Sequence, residues 1–478
     1  MSEKAFQRIR ETRRLLLTDR LTIPEIRPVT ARPSKVSEGR LNLLIPSINP
    51  EAAFGGIATA VKFFKRLEAE FPRSRILLTD FEASSAALSQ FKDYSLRSID
   101  DDEDDRRQLV SLVDKRSKGL VVGSADLFIA TIWWSEVTAR SLARWQAQYF
   151  GIEEKPVIYL IQDYEPLFYA GSARSLLATE TYQRTSPTIA VINTALLRDY
   201  LHLQGHRFTA EFTFQPAMNQ KLREHLAKCQ QTKPPKEKRI LIYGRPYSDR
   251  NAFPLVVESL RVWSQYEKAR RWEIVSAGEP HPDIRLNEDL VIKSRGKLAL
   301  ADYADLLSRA SVGISFMVSP HPSYPPLEMA HFGMKVITNG YSLKDITRWH
   351  DNLHAVPENT PSKIAAKLTE FCELLERQPQ IGWSGKSHIP WYLEERDEFP
   401  FADDLGSELR RRVDWQGRAS ERPTGSRRRK SWQKIDKTLE GWSNLGASGA
   451  TKSVAASGAK TPKSPRRAQP LASQKSKR

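Results

Sequence analysis

The strongest constraint on the fold is a repeated alternation of short apolar runs with segments of helical spacing. Leu41-Asn-Leu-Leu-Ile45 is short and apolar, the pattern of a strand buried on both faces. After a glycine-containing loop, residues 57–71 bring Ala60, Phe63, Phe64 and Leu67 to one helical face. Residues 74–79, 120–122, 127–132, 156–161 and 188–192 predict further strands, and 138–149 a helix among them. A second series follows: strands at 239–243, 272–276, 312–316 and 335–338, with helices over 254–267, 303–310, 326–333 and 362–376. Such alternation predicts an α/β chain built on open parallel sheets. Between the two series, Lys228-Cys-Gln-Gln-Thr-Lys-Pro-Pro-Lys-Glu-Lys238 has the composition of a linker. Residues 390–399 are expected to return along the outside of the two units. Ligands of such sheets bind beyond the carboxyl ends of the strands.

Length agrees with two units, since 478 residues exceed what one ordinary core holds. Two cysteines, Cys229 and Cys372, exclude a disulfide framework or a cysteine-rich zinc module and suit a reducing, cytoplasmic compartment. No apolar run reaches membrane-spanning length, and the charged first residues carry no signal-peptide core. The net charge of +17 is unevenly placed. Residues 417–478 hold 16 Lys and Arg against 3 Asp and Glu, leaving +4 for the rest. Basicity therefore belongs to a tail, expected to be disordered, and speaks for anionic surfaces more than for nucleic acid.

Four segments can carry chemistry. Pro46-Ser-Ile-Asn-Pro-Glu-Ala-Ala-Phe-Gly-Gly-Ile57 lies between the first strand and helix, and Gly55 and Gly56 leave backbone amides open to a phosphate or sugar. Gln162-Asp-Tyr-Glu-Pro166 ends a strand, so a carboxylate there, Asp163 or Glu165, can act as general base on a hydroxyl; the two would share one face of an extended chain. Tyr243-Gly-Arg-Pro246, with Arg250 and Asn251 downstream, offers Arg245 to a pyrophosphate, which a guanidinium matches with paired hydrogen bonds. Ser319-Pro-His-Pro-Ser-Tyr-Pro-Pro-Leu-Glu-Met-Ala330 leads a loop into a helix, where the amides of Ser323 and Tyr324 face an anion and Glu328 can accept from a ribose diol. Taken singly, each also fits ordinary turn or helix-end chemistry. Trp133 and Trp134 can stack on a sugar or simply pack. Lys293, Arg295 and Lys297 form a basic cluster, and Asp100 to Asp105 reads as a solvated acidic loop. His202 and His206 have helical metal spacing with no third ligand in view, so no metal is expected there.

In this order these segments resemble the GT-B glycosyltransferases, and more narrowly the WsaF-type dTDP-L-rhamnose rhamnosyltransferases of bacterial surface glycans. The resemblance covers roughly residues 41–399 and implies two Rossmann-like α/β domains facing across a cleft. Residues 1–40 would be an extension, 41–230 the acceptor-binding domain, 231–385 the nucleotide-sugar domain, 386–416 a return segment and 417–478 the basic tail. It implies that Arg245 and Lys297 contact the diphosphate, Ser323 and Tyr324 offer amides, Glu328 binds the ribose, Gly55 and Gly56 line the sugar side, and Asp163 is the base. The donor is then a substrate, the acceptor a saccharide or lipid-linked glycan, and no cofactor or metal is called for. Many retaining relatives carry a glutamate eight positions before the residue matching Glu328; Pro320 stands there, which favours an inverting displacement. The competing readings are a GT-B enzyme using another nucleotide sugar and a non-catalytic protein binding an anionic surface through the tail, peripheral to the membrane.

Overall fold

The computed structural model describes residues 22–50, 55–114, 116–183 and 185–417. The first 21 residues of the amino-terminal extension and the basic tail beyond Gly417 lie outside them. The described residues fall in one compact unit that carries two large sheets.

In chain order the first series is β1 (Ala31–Pro33), β2 (Arg40–Ile45), β3 (Arg73–Leu78), β4 (Ser95–Arg97), β5 (Arg107–Ser111), β6 (Leu120–Val122), β7 (Leu127–Ala130), β8 (Val157–Ile161), β9 (Thr188–Asn193) and β10 (Ala210–Phe214). Eight of them form an all-parallel sheet in the order β10-β9-β8-β7-β2-β3-β5-β4, while β1 pairs with β6 at its side. Alternation within β2 explains why it is central. Leu41, Leu43 and Ile45 enter one core and Leu44 the other, so helices cover both faces. Along the Gly55–Glu68 helix, Ala60, Phe63, Phe64 and Leu67 fall on one buried stripe, as their spacing predicts. The Trp133–Phe150 helix stops at Gly151, whose left-handed backbone (φ 63°) suits glycine. At the amino end of β2, Arg40 is buried and pairs with buried Asp126 at 2.9 Å.

The second series is β11 (Glu237–Gly244), β12 (Glu273–Gly278), β13 (Ile284–Arg285), β14 (Val291–Ser294), β15 (Ala310–Ile314), β16 (Lys335–Thr338) and β17 (Leu353–Ala355). They form one sheet in the order β13-β14-β12-β11-β15-β16-β17, parallel except for the β13–β14 pair. In both sheets the chain starts centrally, at β2 and β11, moves to one side and then returns to the other. That reversal opens a crevice at the carboxyl ends of the central strands.

Two expectations about the connections need correcting. The segment proposed as a linker is partly helix, since Gln220–Thr232 is helical and β11 begins at Glu237. Within the short remainder, Lys236 donates to Phe332 O at 2.5 Å and lies over the Trp383 ring. The return segment does not stay outside. Ile389 and Tyr392 enter the core beneath the second sheet, and Phe399, Phe401 and Leu405 enter that of the first. Phe399 packs on Phe63 and Phe214, with ring centroids 5.1 and 4.9 Å apart. Aromatic residues in an otherwise polar stretch gain more from burial than from a surface course. Among the described residues no helix is long and apolar enough to cross a membrane.

Candidate functional site

The four segments all lie where strands end. Gly55 and Gly56 open the helix after β2, Asp163 follows β8, Gly244-Arg245 ends β11, and residues 316–324 join β15 to the Pro325–His331 helix. Glycine is required where β11 and β12 end side by side. A Cβ on Gly278 would sit 2.2 Å from Gly244 O, and one on Gly244 would sit 1.9 Å from Ser276 Oγ. Gly55 differs, because its Cβ would meet nothing among the described residues within 4 Å. Gly56 is tied to β8 through its carbonyl, which accepts from Gln162 Nε2 at 2.8 Å.

Asp163 is where the two sheets meet. It is buried, and its Oδ2 accepts from Arg250 Nη1, the guanidinium that follows β11. Its Oδ1 accepts from Ser319 Oγ, on the loop after β15, and from its neighbour's amide, Tyr164 N, at 2.8 Å. Arg250 also lies over the Phe168 ring, 4.3 Å from its centroid, and so packs on the first-sheet side of the pair. Two further bonds join the halves. Asn193 Nδ2, at the end of β9, donates to Tyr324 Oη at 3.2 Å, and Lys297 Nζ donates to Pro50 O at 3.2 Å.

On the second-sheet side, Arg245 is gripped by Glu279 at 2.8 Å through both Nε and Nη2. The carboxylate fixes the guanidinium's direction and is itself held by the Tyr247 amide. Glu328 accepts from Tyr303 Oη at 2.8 Å. Burial pushes its carboxyl up to about 7, against the lowering effect of the Tyr303 bond. Burial raises the Tyr243 phenol, with Arg245 and Arg250 opposing the effect and Glu328 adding to it.

Ser323 departs from expectation. Its amide does not face outward but donates to His321 Nδ1 at 3.1 Å, and its backbone is left-handed (φ 68°). Tyr324 contributes its phenol to Asn193 and begins a helix of only seven residues. Around the same loop, buried Lys344 donates to Met317 O at 2.5 Å, and burial lowers its ammonium to about 7.

Asp163 and Glu165 do not share a face. Glu165 opens a short 3-10 turn and points inward, accepting from Trp133 N at 2.5 Å and Tyr159 Oη at 3.0 Å, and burial raises it to about 8. Trp133 is buried and donates to Tyr169 Oη; Trp134, half-buried, donates to Asp80 Oδ1 at 3.1 Å. His202 has a carboxylate beside it after all, Glu211 at 2.7 Å, whereas His206 turns to Tyr164 and Tyr182. Among the described residues no three His, Cys, Asp or Glu gather as a metal site. Lys293 pairs with Glu273, apart from Lys297. The acidic run is not merely solvated: Asp104 and Asp105 pair with Arg73 and Arg97, and Asp102 receives Ser34 and the Lys35 amide.

Ser319, His321, Tyr303 and Asn193 were not singled out by the sequence. The first two stand inside a motif that drew attention for other members, and the last two have no local signal at all.

With this geometry in view, the comparisons with known proteins are informative. Residues 40–195 match the family model described as WsaF, N-terminal domain, and residues 238–369 match WsaF, C-terminal domain. The O-antigen biosynthesis protein RfbC of Myxococcus xanthus is 31% identical over 252 residues, which are 52% of this chain and 18% of that protein. The chain thus spans less than a fifth of that relative's length. Similar solved structures include WaaG, a glycosyltransferase involved in lipopolysaccharide biosynthesis, with TM-score 0.47 and 10% identity over 77% of this chain and 99% of that one. An alpha,alpha-trehalose 6-phosphate synthase from Burkholderia multivorans gives TM-score 0.49 and 9% identity over 80% and 100%. Matched in order by both family domains over more than half its length, the chain belongs to the WsaF family.

Proposed function

We propose that this protein transfers L-rhamnose from dTDP-β-L-rhamnose to a hydroxyl of a saccharide or lipid-linked glycan in bacterial surface polysaccharide synthesis. The observation that carries the reading is Asp163, from the first sheet, held by Arg250 and Ser319 on the loops that follow β11 and β15 of the second, with Arg245 and the helix of Glu328 following the same strands. Glu328, aligned by Tyr303, accepts from the ribose diol. Arg245 and Lys297 meet the diphosphate, and Gly55 and Gly56 border the sugar. The RfbC relative, by its name a protein of O-antigen biosynthesis, supports a surface-glycan setting.

In the displacement, the acceptor oxygen bonds to the sugar's anomeric carbon as the bond from that carbon to the diphosphate oxygen breaks. The electron pair leaves with dTDP, whose added charge the two cations offset without a metal in this reading. The acceptor's proton passes to Asp163. Single displacement inverts the anomeric centre, so a β-donor gives an α-linked product. Transfer assays across dTDP-, UDP- and GDP-sugars, with NMR of the product's anomeric linkage, test both parts. A retained configuration rejects the inverting mechanism, and turnover with another nucleotide sugar in place of dTDP-L-rhamnose rejects the donor.

A further inference from the structure

His321 sits in the loop between β15 and the Pro325–His331 helix, buried and hydrogen-bonded on one side only. Its Nδ1 accepts the Ser323 amide at 3.1 Å, so that nitrogen carries no proton. A neutral ring must then hold its proton on Nε2. Burial lowers the ring to about 4, with Arg250 and Lys344 adding to that effect and Asp163 opposing it. At neutral pH the residue is therefore a fixed, uncharged Nε2–H donor. That Nε2 is buried and has no acceptor among the described residues.

An orphaned donor alone does not make a site: on the edge strand β17, His354 Nε2 is also buried with no partner among the described residues, and its ring packs on Phe371. What distinguishes His321 is its place. Its amide donates to Ser319 Oγ at 3.0 Å, and Ser319 donates to Asp163. Its ring lies 5.6 Å from that of Tyr324, whose phenol receives Asn193 from the first sheet. The Asn193 amide oxygen is likewise buried with no donor among the described residues. The His321 ring and the Asn193 amide, brought by opposite sheets, both contact Tyr324, and sugar hydroxyls can accept from the first and donate to the second.

We propose that His321 is a specificity-determining residue that donates from Nε2 to a hydroxyl of the donor's sugar, which rests on the donor reading given above. A buried donor left unpaired disfavours a sugar lacking that hydroxyl, so the contact selects as well as binds.

Calorimetric titration of the full chain with dTDP and with dTDP-L-rhamnose separates this role from a structural one. His321→Phe should bind dTDP as the wild type does and lose roughly 10-fold in affinity for dTDP-L-rhamnose. His321→Gln, whose amide N–H falls near Nε2, should recover most of the loss; His321→Asn, which falls near Nδ1, should not. Equal losses for both ligands, or none for either, overturn the role of His321 while leaving the donor reading intact. Wild-type protein that is folded and binds neither ligand overturns the donor reading and this inference with it.

Discussion

Arg250, after the first strand of the second sheet, pairs with Asp163, after β8 of the first, and the pair is largely shielded from water on both sides. With Ser319 and the Tyr164 amide on the other oxygen, both carboxylate oxygens are occupied and only Oδ2 keeps room for a second donor. Base catalysis at Asp163 is eased if Arg250 turns away, and a bound diphosphate gives it a second anion to turn towards.

Two substitutions follow from this pair. Asp163→Asn should lower turnover by about 10²–10⁴-fold, the usual weight of a general base, with dTDP affinity little changed. Arg250→Ala strands a buried carboxylate and should cost about 3 kcal/mol in denaturant unfolding, most of it recovered when Asp163→Asn is added. Additive losses in the double variant would show that the pair is not coupled.

Glu328 sets a pH dependence. Its carboxyl is raised from 4.5 to about 7 in the fold, so the folded state holds the proton more tightly than the unfolded chain. The resulting destabilisation is absent below the unfolded value and grows as pH rises, becoming full above about 7. Glu328→Gln should raise the melting temperature above neutrality and leave it unchanged in acid. Wild-type affinity for dTDP should climb through the same range, as the ionised carboxylate accepts the ribose. Tyr303→Phe removes a bond that favours the ionised form and should shift that climb to higher pH.

Gly55→Ala separates ligand from fold. The added methyl meets no atom of the described residues within 4 Å and lies in the first turn of a helix, where alanine is tolerated at least as well as glycine. The variant should melt no lower than the wild type. A fall in sugar transfer would then report the methyl against the donor's sugar, and unchanged transfer would remove Gly55 from the site.

Most of the scaffold was legible because its central strands are short runs of apolar residues with no competing pattern. β4 and β5 escaped notice, since Ser95-Leu-Arg97 and Arg107-Gln-Leu-Val-Ser111 are polar strands towards a sheet edge. β10, an edge strand, is half-buried and mixes Glu211 and Thr213 with its aromatics. In the candidate site, the positions of Arg245 and Glu328 beyond strand ends were legible because local motifs carry them. Arg250–Asp163 and Asn193–Tyr324 were not, since their partners lie 87 and 131 residues apart and meet only when the sheets pack. The same packing explains Ser323: its amide was assigned to a ligand, and a buried histidine two residues earlier takes it instead.

The tail offers a separable prediction from charge alone. Its 16 basic against 3 acidic residues should attract vesicles containing anionic lipid, with binding that weakens as salt rises. Deleting residues 417–478 should abolish that binding and leave turnover on a soluble acceptor unchanged. Undiminished vesicle binding would assign the contact to another surface.

The donor site is tested most directly by calorimetric titration of the full chain with dTDP, UDP and GDP in metal-free buffer. The account predicts selective dTDP binding that falls at least 10-fold for both Arg245→Ala and Glu328→Ala, a charge-assisted contact being lost in each. Tighter binding of UDP or GDP, or dTDP binding indifferent to both substitutions, would contradict it.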